Sequence, residues 1–160
     1  MKFAKIFIVA IVALLGFSAC GDPNNGSGGG STSEWNDNGS PVGEWVLTEW
    51  NDSKDLPFGV YIRFNEDNTF ELYQHTYTIL WVRYTGTFSL NGSTLTGVYS
   101  DGEKWNSYTI KYNGETKQIR LTNAEKNEES IYTSTTIPTE IVEDATEAVN
   151  VRSVEFDKFL

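Results

Sequence analysis

Few residues of the types that perform chemistry occur in this sequence. The chain has one histidine, His75, and one cysteine, Cys20, beside 22 acidic residues. A catalytic triad needs a histidine next to a nucleophile and an acid, and a zinc site needs three or four nitrogen or sulfur ligands. Acidic pairs such as Glu66 and Asp67 lie in predicted turns, where water solvates them and no catalytic pair is indicated. We therefore expect no enzyme activity, no metal and no cofactor, and we interpret His75 as a strand-surface or rim residue.

The lone cysteine follows a segment that is typical of secretion signals. Lys2 and Lys5 supply positive charge, residues 6–17 form an apolar run, and small residues come just before Cys20. The sequence Phe-Ser-Ala-Cys at residues 17–20 resembles the lipobox of bacterial lipoproteins. That resemblance implies cleavage before Cys20 and its modification by acyl chains such as palmitate. We expect a lipid-anchored protein of the bacterial cell envelope, most simply in the outer membrane, with membrane lipid as its partner through acylated Cys20.

Composition predicts three segments: a lipoprotein signal peptide at 1–19, a lipidated N-terminus with a flexible Gly/Ser/Asn linker at 20–42, and one domain at 43–160. Trp35 interrupts the linker, and we expect it to dock on the domain or to be disordered. Removing residues 1–19 changes the formal net charge from −10 to −12, because Lys2 and Lys5 are lost without any acid. Nucleic acid repels such a surface, so we expect no nucleic-acid partner.

Alternation of apolar and polar residues predicts eight strands from residue 43 onward. The candidate strands are Glu44–Trp50, Gly59–Asn65, Thr69–Thr76, Ile79–Leu90, Ser93–Ser100, Glu103–Tyr112, Thr116–Asn123 and Glu129–Thr136. Asn-Gly or Asp-Gly pairs at 91–92, 101–102 and 113–114 predict type I′ hairpin turns between them. Short connections exclude a parallel sheet. An all-β, eight-stranded antiparallel up-and-down barrel follows, because closure removes exposed edges; a two-sheet sandwich is the alternative.

The last 23 residues form a short tail that we expect to be helical or extended. Thr139 is placed to cap a helix through Ala148, with Glu140 and Glu143 in its first turn. Further apolar residues then need a buried position. They form a final strand or a plug at one end of the barrel; these residues are Val151, Val154, Phe156, Phe159 and Leu160.

Three motifs in order resemble the lipocalin-like domains of bacterial lipoproteins. Gly43-Glu44-Trp45 resembles the family's opening Gly-x-Trp. Residues 62–70 resemble its second hairpin, and residues 84–90 resemble the following strand. The resemblance covers roughly residues 43–137 and implies an eight-stranded barrel, with an apolar cavity at one end. It also implies that Gly43 and Trp45 are structural, with Trp45 packed at the closed end under Arg120 or Arg152.

The aromatic content leaves three interpretations open: core packing, a cavity wall, or an outer binding face. For a cavity that holds a small hydrophobic ligand, we predict ten lining residues. They are Ile62, Phe64, Phe70, Leu72, Val82, Tyr84, Phe88, Tyr99, Tyr108 and Ile110. The alternative function is a filled barrel that contacts a glycan or protein partner through Trp50, Trp81 and Trp105.

Overall fold

Eight antiparallel strands form most of the folded chain. The structure is a computed structural model that describes residues 34–76, 80–148 and 158–160. The predicted signal peptide, Cys20 and most of the linker therefore lie outside the described residues. The strands are β1 (Gly43–Trp50), β2 (Gly59–Phe64), β3 (Thr69–His75), β4 (Val82–Asn91), β5 (Thr94–Tyr99), β6 (Tyr108–Asn113), β7 (Gln118–Asn123), β8 (Glu128–Ser134) and β9 (Thr146–Glu147), with the helix α1 (Thr139–Asp144) between β8 and β9.

The first eight strands close into a barrel. Sequential neighbours pair antiparallel from β1 to β8, and β8 pairs with β1, so neither side of the sheet is left as a free edge. The predicted barrel is confirmed, and the sandwich alternative is wrong. β9 is additional: it pairs in parallel with the start of β4 through Val82–Thr146 and Arg83–Glu147. Within the described residues, no helix has the length and hydrophobicity of a membrane-spanning segment.

At one end of the barrel, β1, β3 and β5 end and β2 and β4 begin. We call this end the mouth. Trp50, Gly59, His75, Val82 and Tyr99 are the strand-terminal residues there. The opposite end, which we call the closed end, carries the start of β1 and the end of β6.

The predicted strand Glu103–Tyr112 is wrong at its start, because β6 begins only at Tyr108. β5 and β6 pair through just two residue pairs, Thr94–Thr109 and Leu95–Tyr108. Residues 100–107 instead turn back, and Trp105 N donates a hydrogen bond to Gly97 O at 2.9 Å. This hydrogen bond directs the Trp105 ring into the barrel. The connection between β5 and β6 therefore does not continue the regular pairing of the two strands.

None of the three predicted type I′ turns has that geometry, and at residues 101–102 only Gly102 has a positive φ, of 92°. Between Asn91 and Thr94 the central residues are Gly92 and Ser93, and only Gly92 has a positive φ, of 59°. After Asn113 the turn has four residues and its positive φ lies at residue 117. The Asn113 side chain causes this: its Oδ1 accepts hydrogen bonds at 3.1 Å from the main-chain N–H groups two and three residues later. Asn123 makes the same arrangement before β8.

The helix α1 is shorter than predicted and lacks the predicted cap. Pro138 occupies the N-cap position without a side-chain hydrogen bond, and the chain is extended again from Ala145. Ile141 is the helix's buried residue and packs with Ile137 against Tyr73 on the outer face of the barrel. The extended end is held because Thr146 N donates to Trp81 O at 2.9 Å. Of the tail residues expected to need burial, Val151, Val154 and Phe156 lie outside the described residues.

Candidate functional site

All ten residues predicted to line a cavity are buried inside the barrel and belong to one hydrophobic cluster. Their alternation along the strands explains this, because inward and outward side chains take turns in a strand. Ile62, Leu72 and Ile110 have no exposed surface at all. The structure thus brings the ten side chains together; that they contact a ligand stays a prediction.

Trp105 fills a large part of this interior, so its predicted position on an outer face is wrong. Its ring centroid lies 4.5 Å from that of Phe70, 6.1 Å from Phe64 and 6.2 Å from Tyr99. Gly97 makes the space: a Cβ added there would lie 2.4 Å from the Trp105 ring. The indole Nε1 is buried and has no hydrogen-bond partner in the described structure. Trp105 therefore presents an unpaired donor to the interior.

The other two tryptophans of the proposed outer face also have partners within the chain. Trp50 packs against the interior cluster at the mouth, with its ring 5.5 Å from Phe58. The register shift between Leu47 and Glu49 turns Trp50 inward, because one extra residue reverses the alternation. Trp81 does lie outside, where its ring is 5.5 Å from Tyr61 and 4.3 Å from His75.

The mouth is covered by Lys158–Leu160. The Leu160 side chain belongs to the interior cluster and is 5% exposed. Its main-chain oxygen accepts a hydrogen bond from the Tyr99 hydroxyl at 3.1 Å. Phe159 N donates to the Gln74 side-chain oxygen at 3.0 Å, and the Phe159 ring lies 6.2 Å from Trp50 and 5.8 Å from Phe58. Of the two predicted alternatives, a strand or a plug, these residues take the position of a plug. We call Lys158–Leu160 the plug.

Lys158 joins the plug to the loop that follows β5. Its ammonium lies 2.5 Å from an Asp101 oxygen and also contacts Glu103. The same group lies 4.6 Å from the Tyr99 ring centroid and 6.0 Å from that of Tyr84. Burial lowers the pKa of Lys158, but the hydrogen bonds to the two carboxylates outweigh it, so the pKa is raised overall. The hydrogen bond from Lys158 lowers the pKa of Asp101.

The comparison with known protein families agrees with this architecture. Residues 42–119 match the family model of the lipocalin-like domain. The barrel is a lipocalin-like domain. No curated protein and no solved structure matches the chain significantly. The family match ends at Ile119 in β7, so β8, α1 and the plug lie outside it.

The closed end of the lipocalin-like domain differs from the family expectation at its arginine. Trp45 is buried there, and its Nε1 donates to Pro41 O at 2.7 Å. Arg120 does not cover it, because this side chain alternates with inward neighbours and points outward. It stacks instead on Trp35, 4.2 Å from the ring centroid. Arg152 lies outside the described residues. Gly43, the first residue of β1, has φ of 139°, a backbone conformation that favours glycine.

Residues ahead of β1 complete the closed end. Asn36 and Tyr112 exchange two main-chain hydrogen bonds, of 3.0 and 2.8 Å. The chain before β1 therefore pairs with the part of β6 that β5 leaves unpaired. A Cβ on Gly39 would lie 2.3 Å from the Tyr112 ring, which shows how closely the segment covers that side chain. Trp35 thus docks on the domain, one of the two outcomes expected from the sequence.

The outer face of the lipocalin-like domain carries a network of charges. Arg63 contacts Glu44 at 2.8 Å and Glu71 at 3.2 Å, and Arg83 contacts Glu71 at 3.3 Å and Glu147 at 2.6 Å. Burial raises the pKa of Glu71, but the Tyr73 hydroxyl and the two guanidinium groups lower it by more. The network lies beside an open groove of about 390 Å³ over β3–β5. Because every group in this network of two arginines and three glutamates has an opposite charge beside it, we assign the network a structural role that ties β9 to the barrel.

Several residues of the mouth were not predicted from the sequence. Gln74 is 2% exposed and holds the plug, and its only sequence signal is a polar residue at an inward position of β3. Asp101 and Glu103 carry no local sequence signal of their role, because their partner Lys158 is more than 50 residues away. Among the described residues, no three potential metal ligands lie together.

Proposed function

We propose that this chain is a lipid-anchored envelope protein whose lipocalin-like barrel binds one small hydrophobic ligand at the mouth. One observation carries the ligand proposal: Lys158–Leu160, which belong to no strand, cover the apolar interior there. Such a cover can be exchanged for a ligand without breaking the barrel's hydrogen-bond ladder. Lipocalin-like barrels are in general binding folds rather than enzymes.

The unpaired Trp105 N–H supports the same function. A buried donor without an acceptor costs about 1–3 kcal/mol. A ligand with an oxygen or nitrogen acceptor near Trp105 would recover part of that free energy. The expected ligand therefore has an apolar body, which contacts Phe70, Tyr99 and Leu72, and at least one acceptor.

Titration of the purified full chain with the neutral fluorescent probe N-phenyl-1-naphthylamine tests ligand binding. We expect saturable binding of one probe per barrel, because the mouth offers a single interior site. Decanol should compete with the probe, since it has an apolar chain and an oxygen acceptor. A linear, non-saturable signal that decanol does not reduce would refute the proposal.

The anchor is supported by the order of charge, apolar run, small residues and Cys20 at the N-terminus. Mass spectrometry of the chain purified from its native membrane should find a fatty-acylated N-terminal peptide that begins at Cys20. The Cys20→Ser variant should lose that acylation. An unmodified Cys20 in membrane-derived protein would refute the anchor while leaving the ligand proposal untouched.

The alternative function, a partner surface of tryptophans, has weaker support. Trp105 is buried inside the barrel, and Trp50 contacts the plug at the mouth. Only Trp81 lies on the outer face, next to Tyr61 and His75. The three side chains therefore do not form one binding surface.

A further inference from the structure

The plug contacts the mouth through the kinds of interaction that hold a ligand. Leu160 supplies an apolar group to the interior, and Phe159 packs on the aromatic rings at the rim. The main-chain hydrogen bonds that the structure describes for the plug are made with the side chains of Gln74 and Tyr99. Lys158 adds a cationic group between two carboxylates.

We propose that Lys158–Leu160 occupy the site of the ligand, and that the groups holding them select a hydrophobic molecule with a cationic head over one with an anionic head. The inference rests on the proposed ligand binding: the ligand is a hydrophobic molecule with a cationic head, and the plug competes with it for the site. The family match ends at residue 119, before the plug.

Selection by charge follows from what remains when Lys158 leaves. Asp101 and Glu103 then face the mouth beside the rings of Tyr99 and Tyr84. An ammonium head restores the lost ion pairs and the contacts with both rings. A carboxylate head would instead meet two like charges at close range, in a chain whose net charge is already −10. A simple fatty acid is therefore a poor fit.

Competition follows from the covalent attachment of the plug. A tethered segment has a high effective concentration at its site. The apparent affinity of a ligand is reduced by the fraction of molecules in which the site is open. Weakening the plug must therefore tighten ligand binding, whereas loss of an ordinary structural contact would weaken it.

Calorimetric titration of the full chain with decylamine and with decanoate, each below its micelle concentration, tests the inference. We expect decylamine to bind about tenfold more tightly than decanoate, a difference of about 1.4 kcal/mol. Lys158→Ala should lower the apparent Kd of decylamine by about tenfold, because the plug then competes less well. Lys158→Arg keeps the charge and should leave that Kd within about twofold of the wild-type value.

A paired variant tests the carboxylates directly. Asp101→Asn with Glu103→Gln should abolish the preference for decylamine over decanoate. A control with the same loss of charge, Glu66→Gln with Glu140→Gln, changes two exposed acids that do not contact Lys158 and should keep the preference.

Two results would overturn the inference in distinguishable ways. Equal affinities for the two amphiphiles, or an unchanged Kd in Lys158→Ala, would refute it while the neutral probe still binds saturably and the proposed function stands. If neither amphiphile nor the neutral probe binds to wild type or to Lys158→Ala, the proposed function fails and the inference fails with it.

Discussion

Replacing Gly97 by alanine should destabilise the barrel, because the added methyl group collides with the Trp105 ring. An ideal Cβ at residue 97 lies 2.4, 2.6 and 2.7 Å from three atoms of that ring. Carbon atoms in contact are about 3.5–4.0 Å apart, so the ring has to move by about 1 Å. Phe70, Phe64 and Tyr99 surround the ring and restrict this movement.

The expected size follows from the cost of overpacking. Forcing an extra methylene into a well-packed core costs about 1–3 kcal/mol. We expect about 2 kcal/mol for Gly97→Ala, because the neighbouring rings leave little room to relax. At about 4 °C per kcal/mol for a domain of this size, the Tm should fall by about 8 °C.

Thermal unfolding followed by circular dichroism measures the effect, and Gly114→Ala provides the matched control. Nothing lies within 4 Å of a Cβ at Gly114, and its φ is not in the left-handed region. That change should shift the unfolding free energy by less than about 1 kcal/mol, since it acts mainly on the unfolded chain. If Gly97→Ala is as stable as Gly114→Ala, Trp105 does not pack on Gly97 and the account of a tryptophan-filled interior is refuted.

Three further predictions concern alkaline stability, the closed end and the interior donor. Burial and the hydrogen bond to Glu71 raise the pKa of Tyr73 to about 12, and burial alone raises that of Tyr112 to about 12. The fold favours the neutral phenols, so their contribution to the free energy of unfolding is complete below the ordinary pKa of about 10 and is lost as the pH rises through about 12. Urea unfolding across this pH range should show the loss of stability, and a stability that does not change with pH would contradict it. Arg120→Ala should free Trp35 at a cost of about 0.5–1 kcal/mol, seen as a changed Trp35 signal in ¹⁹F NMR of fluorotryptophan-labelled chain; an unchanged signal would mean that the stacking does not form. Trp105→Phe removes the unpaired donor, so decanol should bind about fivefold more weakly, the equivalent of about 1 kcal/mol. Unchanged decanol affinity by competition titration would show that the donor does not contact the ligand.

Much of the barrel was predictable because its strands alternate strictly. Phe70 and Leu72 face inward in β3, and Leu95, Gly97 and Tyr99 do so in β5, as the period of two requires. The hairpins were also predictable from their Asn-Gly signals, although the side chain of Asn113 caps a longer turn than the one expected. A local pattern thus suffices where contacts lie between neighbouring strands.

The misplaced tryptophans mark where the local pattern ends. Trp50 follows a register shift in β1, and a single extra residue moves every later side chain to the other face. Trp105 lies in an irregular connection, where no period applies, and its position depends on the space left by Gly97. The outward position of Arg120, by contrast, follows from its alternation with Ile119 and Leu121. Here the strand pattern predicts the side-chain position better than the family resemblance, which placed Arg120 over Trp45.

The two ends of the barrel are covered by chain segments that are held in different ways, and this difference indicates which end opens. At the closed end, Asn36 pairs with Tyr112 through main-chain hydrogen bonds, and Pro41 accepts the buried Trp45 N–H. Releasing that segment would leave strand groups and a buried indole without partners, at about 1–3 kcal/mol for each buried group. At the mouth, Lys158 is held by carboxylates that are themselves more than half exposed. Water can satisfy such carboxylates when the plug leaves, and a ligand that takes its place can bond to Gln74 and Tyr99, the two buried side chains that hold the plug. A ligand therefore meets less resistance at the mouth than at the closed end.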